Sequence, residues 1–270
     1  MNRDRKALLK QIKEWHKREE HQKIIDAIEA LPQEDWGDKL TSLLERAYSN
    51  VADSNEEFKA KIYNKDEMNA IDKHIGKYFG KFESVFHEKV SPDIHVDICI
   101  IPPGKERNYY TLVTMGMGAH RMNVPEELSE YKLERAELAI ALPPDWKLDV
   151  KSMRDERWYW PIRLLKSTAR LPIQCDTWLG WGHTVGLNEG ETYAENTRLR
   201  GCILIGPQMV EEDGCRCVLP NGDMVNFYHL IPLYQEEMEY KFEQGADALL
   251  SRFNNFSFVV DSNRPSALGN

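Results

Sequence analysis

Apolar residues concentrate in two runs near the middle of the chain, at residues 109–115 and 134–142. The first run carries aromatic, Leu, Val and Thr residues, which suit a half-buried pleated surface. The second passes from polar to apolar and stops at Pro143-Pro144, where a strand should end because proline cannot donate to a ladder. Between them lies GMGAHRMNVPEELSEYK. The pattern predicts two strands joined by a long ordered loop, and such loops are often functional.

Helical spacing dominates residues 1–53, where three apolar stripes recur with a period that is typical of amphipathic helices. The segment HQKIIDAIEALPQEDWGDKLTSLLERAYSN predicts two antiparallel helices joined at LPQEDWGD, and it is similar to one unit of a tetratricopeptide-like array. Such units normally need stacked neighbours. We therefore favour a small helical module at residues 1–53 that packs on the main domain over a peptide-binding array. A polar linker is predicted at residues 54–66.

Two helices are predicted on either side of the central strands. Asp66 can cap the first of them, and Gly80 suits its end. The second is expected from about residue 152 to residue 170. Because Pro161 falls inside its apolar pattern, a second start is also considered, near Trp160 with the proline in its first turn.

Further strands and a last helix follow from similar patterns. Asn221-Gly222 between two apolar runs is the strongest hairpin signal in the chain. Gly245 weakens the last helix by roughly 1 kcal/mol relative to alanine. The polar end of the chain predicts a loose tail. The predicted segments are strands at residues 94–101 (paired with the strand at Tyr109), 201–206, 215–219 and 224–231, the helix at 233–253, and the tail at 256–270.

Composition narrows the class of protein. The chain has 270 residues, 41% of them hydrophobic, and a formal net charge of −9. This charge argues against a general nucleic-acid binder, because phosphate binding needs a basic face. The five cysteines are scattered, so they make a poor disulfide framework, and Cys99 and Cys202 are expected to be small buried apolar residues. With a charged N-terminus and no apolar span, the chain is expected to be cytoplasmic and not to bind a membrane.

Five blocks of sequence carry a family resemblance. They are LVTMGMGAHRMNVP, YKLERAELAIALPPDW, YWPIRLLKSTARLP, TWLGWGHTV and VNFYHLIPLYQEEMEYKFEQGADALL, in this order. Together they resemble the suppressor of fused (SUFU) domain family in its bacterial form. The resemblance covers about residues 67–253, and it predicts a SUFU-like domain at residues 67–255. The helices before them look like the short module that often precedes bacterial members.

The resemblance implies a fold and a kind of function. It implies a mixed α/β domain with a central mixed sheet flanked by helices, and a binding protein that is not an enzyme. The animal relative holds a transcription factor through a short peptide that adds a strand to the domain. Bacterial members are commonly associated with polymorphic toxin systems, where a role as immunity proteins has been proposed. The acidic residues that grip the peptide in the animal protein do not map onto AHRMNVP, so none is carried over.

Residues with catalytic or metal-binding chemistry are present but lack a pattern. His120, His183 and His229 have no ligand partner at a diagnostic spacing, and Cys215 and Cys217 do not form a C-x2-C pair. Histidines and cysteines without a motif are usually structural. We therefore predict no catalytic residue, no metal and no cofactor.

The two long loops hold the remaining candidates. Gly116 and Gly118 lack a phosphate-binding pattern and are interpreted as allowing an unusual backbone turn. Trp178 and Trp181 are expected either to anchor a partner or to form a small core within their own loop. Since loops often carry function, we predict partner contact by six loop residues: Met117, His120, Arg121, Trp178, Trp181 and His183.

Three functions remain open from the sequence. The first is a protein that sequesters a protein partner, plausibly a toxin domain, helped by its negative charge. An acidic run at residues 235–243 could mimic a phosphate backbone, although such a run is more often a solvated helix face. The second is a small-ligand binder or enzyme that uses the loops at residues 116–121 and 176–186. The third is an adaptor that binds peptides by strand addition.

Overall fold

A computed structural model describes residues 3–18, 20–29, 40–44, 46–47, 60–89, 91–105, 107–253 and 257–269. The chain divides into two compact units. The first comprises residues 1–61 and 88–95, and the second comprises residues 62–87 and 96–270.

The first unit is mainly helical in its described part, with α1 (Arg3–Lys17), α2 (His21–Glu29) and further helical residues at 40–44 and 46–47. The predicted apolar stripes share one core, which confirms the helical periodicity: Ile12, Ile24, Ile25, Ile28, Leu40, Leu44 and Ala47. The joint at LPQEDWGD and residues 54–59 of the predicted linker lie outside the described residues. The antiparallel arrangement and the tetratricopeptide-like module therefore stay predictions.

In the described part of the second unit, eight strands form one mixed sheet in the order β1-β2-β3-β4-β8-β6-β5, with β7 paired beside β8. β4 and β8 run parallel, whereas the other neighbours run antiparallel. The strands are β1 (Ser84–Phe86), β2 (Asp97–Ile101), β3 (Tyr110–Met115), β4 (Ala136–Leu142), β5 (Thr184–Gly186), β6 (Gly201–Ile205), β7 (Arg216–Val218) and β8 (Met224–Leu233).

Helices accompany this sheet, which confirms the mixed α/β fold class. They are α3 (Lys65–His74), α4 (Glu156–Gln174), α5 (Gln235–Gln244) and α6 (Ala246–Arg252). One apolar cluster joins α3 to the middle of the sheet, and another joins α5 and α6 to β6 and the end of β8. Phe258 packs against both clusters.

The two central strands predicted from the apolar runs are β3 and β4, which pair with Leu112 opposite Ile140. β2 pairs with β3 as predicted. The predicted hairpin joins β7 to β8, and Gly222 takes the positive φ of 86° that its turn needs. The prediction that Cys99 and Cys202 are buried is also confirmed, and burial raises the pKa of each thiol to about 12.

The start of α3 differs from the prediction that Asp66 caps it. Asn64 is the cap, since its side-chain oxygen accepts the N–H groups of Asp66 and Glu67, both at 3.0 Å. The Glu67 carboxylate accepts the Asn64 N–H in return at 3.0 Å, which completes a capping box. A π-helical turn (Ile75–Phe79) extends α3, and Gly80 ends it as predicted, with a φ of 119°.

Of the two starts considered for α4, the one near Trp160 is wrong, and the helix begins four residues after the other, Ser152. The Asp155 carboxylate accepts the N–H of Arg157 at 3.0 Å and caps a helix that begins at Glu156. Pro161 therefore lies in the helix interior rather than in the first turn. The capping aspartate decides where the helix begins, and the proline does not.

The single helix predicted at residues 233–253 is also wrong. β8 continues to Leu233, and the following segment forms two helices, α5 and α6. Gly245 separates them with a φ of 91°, a conformation that residues with a Cβ rarely adopt. The glycine is therefore the point where the helix breaks, and not simply a weak point within it.

Residues 257–269, which we call the strap, do not form the predicted loose tail. Val259 makes a parallel bridge with Ala141, and the Val260 N–H donates to the Ala141 carbonyl at 2.9 Å. Val260 is buried. The strap begins with apolar residues and carries Arg264, and both features find partners in the second unit.

Candidate partner-binding site

A buried carboxylate sets the shape of the loop between β3 and β4. Glu137 is fully buried in β4 and accepts hydrogen bonds from the Tyr63 hydroxyl at 2.8 Å and the Thr114 hydroxyl at 2.5 Å. It also accepts the backbone N–H groups of Gly116 and Gly118, at 2.9 and 3.1 Å. Burial raises the pKa of Glu137, while these donors oppose the rise.

The glycines in this loop are needed for close approach. Gly116 has a φ of 134°, and a Cβ at Gly118 would overlap the Tyr63 hydroxyl. The interpretation of an unusual backbone turn is confirmed for Gly116, whereas Gly118 has no positive φ and is needed because the Tyr63 hydroxyl lies so close. The sequence did not reveal Glu137, because a single glutamate at the start of an apolar run looks like the solvent-facing end of a strand. Its sequence signal was that ERAELAIAL places this carboxylate among residues that the strand pattern predicts to be buried.

A chain of ion pairs holds Arg121 on the protein. Arg135 pairs with Glu67, with a distance of 2.8 Å between Nη1 and Oε1, and its Nε lies 3.2 Å from Asp223 Oδ2. Asp223 in turn pairs with Arg121. Burial acts to raise the pKa of the Asp223 carboxyl, but the hydrogen bonds from Asn221 and Arg121 and the charges of the two arginines hold this pKa below its usual value. Arg121 is exposed, but its guanidinium is already paired with the carboxylate of Asp223.

The other two predicted residues of this loop are less accessible. Met117 is buried in a short 3-10 turn, so it supports the loop from beneath. His120 is partly buried.

The two long loops meet each other. The Leu179 N–H donates to the Met122 sulfur at 3.4 Å, and the Asn123 N–H donates to the Thr177 carbonyl at 3.2 Å. This contact joins the loop after β3 to the segment that follows α4. The predicted site residues of the two loops therefore belong to one part of the second unit.

The two tryptophans of the second loop differ in burial. Trp178 is partly buried and stacks edge-on against His183, with ring centroids 4.3 Å apart. A Cβ at Gly180 would lie 2.5 Å from the Trp178 ring, so this indole needs the glycine. Burial and the nearby Lys241 lower the pKa of His183. Trp181, by contrast, remains 49% exposed.

Trp181 adjoins the strand at one end of the sheet. β5 is the last strand in the sheet order, and among the described residues it pairs with β6 alone. The Leu204 N–H bonds to the His183 carbonyl and the Leu187 N–H bonds to the Arg200 carbonyl, each at 2.9 Å. Because bonded residues alternate in an antiparallel pair, the backbone N–H and C=O groups of Thr184 and Gly186 point away from β6.

α5 and α6 each approach this segment at one point. A Cβ at Gly186 would lie 3.3 Å from the Met238 sulfur, and one at Gly182 would lie 3.3 Å from the Ala246 Cβ. Phe242 lies between these two contacts in sequence and is 77% exposed. We call Trp181, Thr184, Gly186 and Phe242 the β5 edge. It combines outward backbone groups with exposed aromatic side chains.

His229, the third histidine candidate, lies in the sheet interior. It is fully buried, and burial lowers its pKa to about 3. Its ring nitrogens have no hydrogen-bond partner within the described chain. Across the same described ranges, no three His, Cys, Asp or Glu side chains converge as a metal site, and no helix is both long and apolar enough to cross a membrane.

Comparisons with known proteins point to one family. The family model described as "Suppressor of fused protein (SUFU)" matches residues 92–265. An uncharacterised protein of Ureaplasma parvum serovar 3 is 26% identical over 208 residues, which cover 76% of this chain and 96% of that protein.

Two solved structures are similar. The Sufu–Fu complex has a TM-score of 0.53 at 15% identity, over 78% of this chain and 94% of that one. A SUFU homologue from Neisseria gonorrhoeae has a TM-score of 0.49 at 19% identity, over 76% of this chain and 98% of that one.

Proposed function

Because the chain belongs to the SUFU family, whose members are non-catalytic regulators, we propose that it is a protein-binding domain that sequesters a partner. The observation that carries the proposal is the β5 edge. Thr184 and Gly186 present backbone groups to which an extended segment of a partner can pair, and pairing of this kind gives affinity with little demand on sequence. Trp181 and Phe242 supply apolar contact beside it.

The two long loops support this surface in different ways. Trp181 contacts the partner, and Trp178 and His183 fix the backbone that carries it. Met117, Arg121 and His120 belong to the adjoining loop, which positions the second loop through the Met122–Leu179 contact. A role for these loops in small-ligand binding or catalysis has less support, because Met117 is buried and Arg121 is engaged by Asp223.

We further propose that the partner is a toxin domain and that the chain is its immunity protein. The resemblance to bacterial SUFU proteins, which are commonly associated with polymorphic toxin systems, supports this. The net charge of −9 fits a basic partner such as a nuclease, since opposite charge speeds association. Binding in this mechanism blocks the partner without any chemical step.

Co-expression with the product of the neighbouring gene tests both proposals. We expect that product to co-purify with the chain and its toxicity to be relieved. Trp181→Ala should weaken the complex by at least about 10-fold, as loss of an aromatic anchor does. Thr184→Pro should also weaken it, because proline is tolerated at an edge position while removing an outward N–H.

Tyr131→Ala is the matched control, because Tyr131 is an aromatic residue that is 52% exposed and lies outside the β5 edge. It should bind like the parent chain. If no complex forms and toxicity persists, the immunity role is rejected. If the complex forms but resists both edge substitutions, the partner binds elsewhere and the β5 edge is rejected.

A further inference from the structure

The middle of the sheet contains a fork. β4 and β8 pair in parallel from Ala136 opposite Asn226 to Ala139 opposite His229. Beyond this point β8 continues against β6, whereas β4 continues against β3. The two strands therefore separate, and the side of β4 at Ala141 no longer faces β8.

The beginning of the strap fills this fork. Val259 bridges Ala141 in parallel, and the Val260 N–H donates to the Ala141 carbonyl at 2.9 Å. The strap thus takes the place beside β4 that β8 has left. The bridge is isolated, unlike the continuous ladders that join the neighbouring strands.

Side chains seat the strap on the sheet. The Phe258 ring packs edge-on against the rings of Tyr109 and His229, with centroids 5.3 and 5.8 Å apart. Val260 is buried. The first part of the strap therefore covers His229, and its hold on the sheet comes mainly from apolar contact.

Arg264 and several hydrogen bonds to the backbone fasten the second part of the strap. The Thr197 hydroxyl donates to the Ser262 carbonyl at 2.6 Å, the Tyr234 hydroxyl donates to the Arg264 carbonyl, and the Ala267 N–H donates to Glu237 Oε1 at 2.8 Å.

The Arg264 guanidinium donates to both carboxylate oxygens of Glu237, at 2.5 and 2.6 Å, and to the Pro232 carbonyl at 2.9 Å. It also lies over the rings of Tyr234 and Phe253, at 4.8 and 4.9 Å from their centroids. Glu237 is fully buried at the start of α5, so this pair is shielded from solvent.

We propose that the fork between β4 and β8 is a strand-binding site and that the strap is its exchangeable occupant. The ligand is an extended segment with a phenylalanine, two valines and, four residues after the second valine, an arginine, as in Phe258 to Arg264. The chain's own strap provides this segment. Opening requires the loss of one backbone bridge, of the Arg264–Glu237 pair and of the hydrogen bonds that join residues 262–267 to the second unit, while the ladders of the sheet remain.

Hydrogen exchange on the full chain, with rising amounts of urea, tests whether the strap opens independently. We expect the amides of residues 257–269 to exchange at least about 10-fold faster than those of β4, through an opening that leaves the sheet closed. Arg264→Gln should speed strap exchange further by about 100-fold, because the buried Glu237 carboxylate then loses its only ion-pair partner among the described residues. The exchange of β3 and β4 should stay unchanged.

Arg252→Gln is the control, since Arg252 is an exposed arginine at the end of α6. It should leave strap exchange as in the parent. If the strap and β4 exchange together in the parent chain, the strap is a permanent part of the sheet and the proposal is overturned. This comparison decides the question even if Arg264→Gln fails to fold.

A labelled peptide, SFVVDSNRPSALG, tests whether the fork binds a strand supplied in trans. It should bind the Arg264→Gln chain saturably and the parent chain at least about 10-fold more weakly, because the parent fork is occupied in cis. A peptide with alanine in place of phenylalanine should not bind. Faster exchange without peptide binding would show that the fork is no binding site.

Discussion

Single buried polar residues hold the segments around the proposed binding surface. Glu137 accepts from two hydroxyls and two backbone N–H groups, so both of its oxygens are used as acceptors. Thr114 can donate to it because its hydroxyl oxygen accepts in turn from the Leu138 N–H at 2.8 Å. The carboxylate thus substitutes for solvent at the turn after β3.

Glu137→Gln should destabilise the second unit by about 2–3 kcal/mol. A glutamine presents an N–H2 group where one carboxylate oxygen now accepts, so at least one donor in the turn loses its partner. Urea unfolding measures the change, and Glu127→Gln, an exposed position in the same loop, provides the control. Equal stability of the two variants would show that the buried carboxylate is dispensable.

His229 makes stability depend on pH. Its pKa is about 3 in the folded chain, against about 6.5 when unfolded, so the unfolded chain takes up the proton first as the pH falls. Stability is therefore fully present above about pH 6.5 and is lost below it, by roughly 2 kcal/mol at pH 5.

Urea unfolding measures the loss of unfolding free energy between pH 7.5 and pH 5. In the His229→Leu variant this loss should be smaller than in the parent chain by roughly 2 kcal/mol. The parent chain, measured over the same pH range, is the reference. An unchanged loss in His229→Leu would contradict the assignment.

Features of single residues were predictable where the backbone conformation requires a particular residue type, such as glycine. Gly116 and Gly118 stood out because few other residues allow such a turn. Glu137 and Arg264 did not, since their partners lie far away in sequence and each looks like an ordinary surface charge. The acidic run at residues 235–243 shows the same limit, because Glu237 within it is buried against Arg264.

At the scale of elements, the sign of the stability change on Gly245→Ala depends on whether the last helix is continuous or broken at this residue. As part of a continuous helix, Gly245→Ala should stabilise the chain by about 1 kcal/mol. Because the structure gives this residue a φ of 91°, we expect a loss of about 1–2 kcal/mol instead. Thermal unfolding distinguishes the signs. Gly104→Ala is the control, since Gly104 has no positive φ and a Cβ there would have nothing within 4 Å.

α5 connects two features that the sequence left separate. Glu237 binds the strap through Arg264, and the next residue, Met238, packs against Gly186 and Gly201 beside the β5 edge. The sequence predicted a helix here from its apolar spacing. It could not show the helix contacts, because they depend on where β5, β6 and the strap arrive in space.

For the whole molecule, local order was more predictable than long-range pairing. The runs that became β3 and β4, the hairpin at Asn221-Gly222 and the mixed α/β class all followed from periodicity, turn residues and the family resemblance. The parallel pairing of β4 with β8, on the side of β4 away from β3, did not follow from these signals. β8 lies about 90 residues further along the chain, and no local pattern encodes that meeting.

The parallel pairing of β4 with β8 also sets the order of events during synthesis. β4, with the sequence AELAIAL, leaves the ribosome well before β8 exists, and β3 satisfies one of its sides in the meantime. Its other side stays an apolar, unpaired edge until residues 226–229 arrive. Nascent chains that stall in this interval expose a template for aggregation, so slow translation there makes the chain depend on chaperones.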